Sequence, residues 1–147
     1  MLSPARASEF ADRIRKGPDL NLMLPERKAV HKARQSWLTI ANDHQIPPPG
    51  DWWTVWLLLA GRGAGKTRAA AEWLWYEAWT HPKTRWLVSA PTSSDVRDVC
   101  FEGDSGLTTV IPEQLIHHYT RSLHEIVLIN GSLIKGIPAS EPSRFRG

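Results

Sequence analysis

The sequence predicts an α/β fold organised on a parallel sheet, and three features carry that expectation. Residues 54–74 read TVWLLLAGRGAGKTRAAAEWL: a short apolar run, a glycine-rich loop and a strong helix-forming run in immediate succession. A second short apolar run, RWLVSA, follows at 85–90. Strand–helix–strand within roughly 40 residues is the spacing of a βαβ unit, whose strands lie parallel. Beyond it, apolar runs at 122–129 and 132–137 are joined by Asn130-Gly131, a strong hairpin signal because both residues tolerate positive φ.

Taken in order, Ser3-Pro4 reads as a helix start, with Ala7, Phe10, Ala11 and Ile14 in helical period and Gly17-Pro18 as the stop. A second helix is expected from Pro25 to about Asn42. Val30, Ala33, Trp37 and Ile40 form its apolar stripe, and Arg27, Lys28, Lys32 and Arg34 a basic, solvated side able to meet DNA or a partner. Pro47-Pro48-Pro49-Gly50 is a stiff, extended break. It divides a helical arm over 1–46 from the core over 47–147. Residues 54–59 are expected as a central strand of the parallel sheet. The helix after the loop should reach about Thr80, and Pro82-Lys83 turns the chain into the 85–90 strand. Hydroxyls at Thr92, Ser93 and Ser94 can cap a helix starting near Asp95. Residues 107–115 read as a short helical or irregular link.

The loop has the order that phosphate binding requires. Gly61, Gly63 and Gly65 let the backbone curl so that successive N–H groups face an anion, and the following helix N-terminus adds partial positive charge. In the pattern G-x-x-x-x-G-K-[ST], Ala60 takes the first glycine position and Gly61, Arg62, Gly63 and Ala64 precede Gly65. Lys66 is placed to neutralise the β- and γ-phosphates of ATP, and the Thr67 hydroxyl to ligate Mg²⁺. Gln45 offers an amide able to read adenine's edge. Trp52, Trp53 and Trp56 offer a stacking face, although aromatic residues more often serve a core.

Composition narrows the class. With 147 residues, 41% hydrophobic and 22% charged, the chain can build one cored domain. A single cysteine, Cys100, excludes an internal disulfide and reads as a small core residue. No apolar run approaches a membrane span, and the polar N-terminus lacks a secretory h-region. The net charge of +3 comes from the first 46 residues, which hold eight Lys/Arg against five Asp/Glu. The segment GDSG at 103–106 matches a serine-protease nucleophile loop, but that fold is all-β and this chain is α/β. His117, His118, His124 and Cys100 lack metal-site spacing.

An ATPase also needs an acidic residue at a strand end for Mg²⁺ and a base for the attacking water. The downstream apolar runs end in Pro91-Thr92, Asn130-Gly131 and Pro138, and none supplies the acid.

The segments QIPPPGDWWTVWLLLAGRGAGKTRAAAEWLW, WLVSAPTSSDVRDVCFEGDSGL and INGSLIKGIPASEPSRFRG closely resemble the N-terminal part of the large terminase subunit of tailed bacteriophages and prophages. The resemblance covers about residues 25–147. It implies a RecA-like P-loop ATPase of the ASCE class, the motor that packages viral double-stranded DNA into procapsids. It also implies a small terminase subunit and a portal protein as partners, a homo-oligomeric ring when complete, and the cytoplasm of the bacterial host as location. Arg62 matches the family's extra Walker A arginine, and Lys66 and Thr67 its phosphate and Mg²⁺ contacts. Arg146, or second Arg144, stands where the trans-acting arginine finger precedes the Walker B strand. That strand and the nuclease do not follow, so the resemblance implies a chain truncated before Walker B. Two other classes remain: a small P-loop kinase, and a non-enzymatic DNA- or partner-binding remnant.

Overall fold

The computed structural model describes residues 24–146; the expected helix at 3–17 lies outside them. Helix α1 spans Leu24–Ile40, close to its expected bounds, and a 3₁₀ turn follows at Asp43–Gln45. Helix α2 spans Lys66–Thr80. Strands β1 (Arg85–Ala90), β2 (Ile116–Thr120), β3 (Glu125–Leu128) and β4 (Leu133–Pro138) form one sheet in the order β1-β4-β3-β2. Between β1 and β2 the chain makes a short turn of helix at Ser93–Asp95, a π-helical segment at Val96–Phe101 and a helix at Leu107–Val110.

The sheet is mixed rather than parallel. β1 and β4 run parallel, whereas β4–β3 and β3–β2 are antiparallel. The expected βαβ unit is replaced because residues 54–59 form no strand; they join none of the four-stranded ladder. A β-strand exists through its partner, which satisfies backbone N–H and C=O groups, and an apolar run without a partner stays irregular. The run still alternates. Val55, Leu57 and Leu59 are 79%, 71% and 83% exposed, while Trp56 and Leu58 pack on Trp37, Ala41, Ile46 and Ala69.

One face of the sheet builds the main core. Register places Trp86, Ile134, Ile126 and Tyr119 in one row across the four strands. Ile126 and Ile134 are fully buried and pack with Leu74, Trp75 and Trp79 of α2 and with Val96 and Phe101. The opposite face carries Arg85, Leu87 and the Lys135–Glu125 ion pair at 2.9 Å, the half-solvated alternation typical of antiparallel pairing.

The hairpin forms where Asn130-Gly131 predicts it. Its loop is longer than a two-residue turn: only Gly131 has positive φ, at +84°, and Leu128 N–H donates to Ser132 O at 2.9 Å. β2 carries no strand signal in the sequence, because IHHYT lacks an apolar alternation, and β3 starts at Glu125, not at Ser122, after a 3₁₀ turn at Arg121–Leu123. Thr92 caps the next helix as expected, accepting from Asp95 N at 3.1 Å. The glycines of GDSG have a packing reason: a Cβ at Gly106 would lie 2.6 Å from Phe101 O, and one at Gly103 2.7 Å from Asp98 O.

Two readings of α1 change. Arg34 is buried, not solvated. It donates to Glu72 O at 3.2 Å, and its guanidinium lies 4.1 Å from the centre of the Tyr76 ring, where a cation is attracted by the ring face. Ile40, expected in the apolar stripe, is 66% exposed, because the chain leaves the helix there.

Candidate functional site

The candidate site is the loop that enters α2. Gly63 and Gly65 adopt φ of +77° and +74°, a left-handed conformation that L side chains rarely take. Gly65 is the N-cap of α2 with no side-chain cap, so the first helical amides are left to other acceptors. A Cβ at Gly61 or Gly63 would meet nothing within 4 Å, so neighbouring atoms of the chain do not demand glycine at these two positions.

Lys66 folds back over the loop. Its ammonium donates to Ala60 O and Gly61 O, each at 2.7 Å. An ammonium has three donors, so two fix its position and one remains. Thr67 stands beside it in the first turn of α2. Arg62 is exposed at the loop tip and takes part in no ion pair among the described residues.

Gln45 approaches the same loop from the 3₁₀ turn. Its Nε2 donates to Ala64 O at 3.3 Å and Gly65 O at 3.4 Å. Its Oε1 accepts from Asn42 N at 2.8 Å and Asn42 Nδ2 at 3.3 Å. Gln45 is buried, and a Cβ at Gly65 would collide with its amide nitrogen. Trp52 and Trp53 donate their indole N–H groups to Pro49 O and Pro48 O, both at 3.0 Å, and so clip the proline turn.

The base of the loop is held by buried polar groups. Glu72, 2% exposed, accepts from Arg68 Nε at 2.9 Å and from Trp75 Nε1 at 2.8 Å, while Arg34 reaches its backbone carbonyl. Arg68 also lies over the Trp37 ring. α1 and α2 are thereby locked within about two turns of Lys66. From the sequence Arg34 falls on the solvated side of its helix, which hides this network; the spacings that could have signalled it are Arg34 three residues before Trp37 and Glu72 four residues after Arg68.

The remaining predicted residues lie elsewhere. Arg144 pairs with Glu141 at 2.8 Å in the 3₁₀ segment Pro142–Arg146, and Arg146 is exposed beside it. This segment follows the junction where Ala139 N donates to Ala90 O. Among the described residues no three His, Cys, Asp or Glu gather as a metal site. No described helix is long and apolar enough to cross a membrane. Cys100 is half-buried, and burial raises its thiol pKa.

No curated protein and no solved structure matches the chain. Residues 57–147, more than half of it, match the family described as terminase large subunit, T4likevirus-type, N-terminal, and the chain therefore belongs to the terminase large subunits.

Proposed function

We propose that residues 60–67 form a Walker A loop that binds the triphosphate of ATP with Mg²⁺. In this reading the chain is the ATP-binding part of the motor that packages viral double-stranded DNA. The observation that carries it is the left-handed turn at Gly63 and Gly65, which delivers Lys66 and Thr67 to the uncapped start of a 15-residue helix. A concave loop ahead of a helix N-terminus favours an anion. The residues fit the group: Lys66 would neutralise phosphate charge, Thr67 would supply an oxygen ligand to Mg²⁺, and Arg62 would add a second positive charge at the tip. Mg²⁺, when bound, screens the charge between phosphoryl oxygens.

Hydrolysis requires an acidic group that the described strands do not bring. β1, β2, β3 and β4 end in Ala90, Thr120, Leu128 and Pro138. The chain alone is therefore expected to bind Mg·ATP and turn it over little. In a ring on the portal, with the small terminase subunit recognising the DNA in the host cytoplasm, Arg146 would reach a neighbour's nucleotide. This placement rests on family membership.

Calorimetry with Mg·ATP tests the loop. Lys66→Ala is expected to remove binding, at least a tenfold loss, with the circular dichroism spectrum unchanged. Unaltered affinity in that variant sinks the assignment. A phosphotransfer screen separates the kinase reading. DNA binding that falls steeply with salt and ignores ATP would favour a binding remnant.

A further inference from the structure

We infer that Gln45 is a positioning residue that aims the loop's amides at the phosphates, and that its amide is not spent on the base. This deepens the reading of residues 60–67 as a phosphate loop and rests on it.

The inference starts from what the amide of Gln45 can still do. Reading adenine's edge takes both ends of a carboxamide, the oxygen as acceptor and the nitrogen as donor. Both are engaged inside the chain. Oε1 accepts from Asn42 N at 2.8 Å and from Asn42 Nδ2 at 3.3 Å. Nε2 faces the carbonyls of Ala64 and Gly65 at 3.3 and 3.4 Å. Only 8% of the residue is exposed, so a base has little surface to approach.

The consequence lies in peptide geometry. In a trans peptide the C=O and the N–H of the next residue point in opposite directions. Holding Ala64 O and Gly65 O toward Gln45 therefore turns the N–H groups of Gly65 and Lys66 away from it. Those two amides belong to the start of α2, next to the Lys66 ammonium held by Ala60 O and Gly61 O. Glycine at 65 is set first by its φ of +74°, and it also leaves the room that Gln45 Nε2 occupies, which a Cβ there would displace. Asn42 acts one step back, since its backbone N–H fixes which end of the amide faces the loop.

The test compares ligands with and without a base. Wild type, Gln45→Met, Gln45→Glu and Lys66→Ala are titrated with Mg·ATP, Mg·GTP and Mg·tripolyphosphate, and folding is followed by thermal unfolding. Gln45→Met keeps the length and loses the donor; Gln45→Glu turns a carboxylate on the two carbonyls. Both are expected to weaken all three ligands by the same factor, about tenfold, with the ratio of ATP to tripolyphosphate affinity unchanged. Weakening of ATP alone overturns the inference in favour of base reading. A lower unfolding midpoint with unchanged tripolyphosphate affinity overturns it in favour of simple packing. Absence of Lys66-dependent binding in wild type overturns the phosphate-loop reading and this one with it.

Discussion

The loop module and the sheet obey different rules. Residues 43–80 take their form from local chemistry: positive-φ glycines, a helix start and a short 3₁₀ turn that supplies Gln45. The sheet takes its form from pairing between separate segments, and between β1 and β4 the partners Arg85 and Leu133 stand 48 positions apart. The apolar run 54–59 belongs to the first region in sequence and has the composition of the second. It has no ladder, and its alternate residues Val55, Leu57 and Leu59 stay in solvent. The difference teaches that an apolar run acquires strand structure only when another strand meets it, whereas a glycine-rich turn can form by itself.

The largest effect should separate the two regions by stability. Ile134 is fully buried between β1 and β3 and packs in the main core. Ile134→Ala is expected to cost about 2–5 kcal/mol, from lost transfer energy and the cavity left behind. Leu57→Ala, at a residue already 71% exposed, is expected to change stability by less than about 0.5 kcal/mol. Urea denaturation of both variants measures the contrast. A comparable loss in Leu57→Ala would mean that 54–59 is paired in solution and that the two regions are one.

A smaller effect sits where the regions join. The last carbonyls of a helix need partners from outside it. In α2, Ala78 O and Trp79 O receive Asn130 Nδ2, both at 2.9 Å, while Asn130 Oδ1 accepts from Ser132 N. A hairpin residue thus caps the helix that begins at the glycine-rich loop. Asn130→Ala leaves two buried acceptors unmatched and is expected to cost about 1–3 kcal/mol. Hydrogen exchange should show faster opening at the C-terminal turn of α2 than at Lys66. Equal acceleration along the whole helix would contradict a local cap.

This joint also shows what was legible in the chain. Asn130-Gly131 announced a turn because its chemistry is local, but the cap to Ala78 and Trp79 depends on a contact 52 residues away that no window contains. The bounds of α1 and α2 followed from periodicity, and the loop from GRGAGKT. The mixed sheet did not, because the parallel partner of β1 is β4 and not the run before the loop. Arg34 reads as solvated from its charge alone, because the Tyr76 ring and Glu72 O that meet it lie at least 38 residues further along the chain. For Gln45, the sequence showed the amide but not the Asn42 and Gly65 groups that occupy it.

The smallest expected effect concerns the rim of the sheet, where β2 touches the π-helical segment. The Tyr119 ring stacks on Phe101 with centroids 6.0 Å apart, and its hydroxyl donates to Glu102 Oε1 at 2.9 Å. Arg121 holds the same carboxylate through Nε at 2.7 Å and Nη2 at 3.1 Å. Burial first, and then the bond to Glu102, pushes the Tyr119 pKa up to about 12. An unfolded tyrosine titrates near 10, so folding favours the neutral phenol. Its contribution is full below pH of about 10 and is lost as pH rises through about 12. Arg121 and Tyr119 together lower the Glu102 pKa, so that carboxylate's contribution is present above its ordinary range and lost in acid. Tyr119→Phe should therefore be less stable than wild type by a constant margin between pH 7 and about 9, under about 1 kcal/mol after solvent screening. The margin should shrink above pH of about 10. Thermal unfolding of the pair across that range reads it directly. A margin independent of pH up to 12 would show that the phenol packs against Phe101 without using its proton. The sheet rim would then be held by apolar stacking alone, and the polar anchoring of the molecule would be concentrated around Glu72 and the loop.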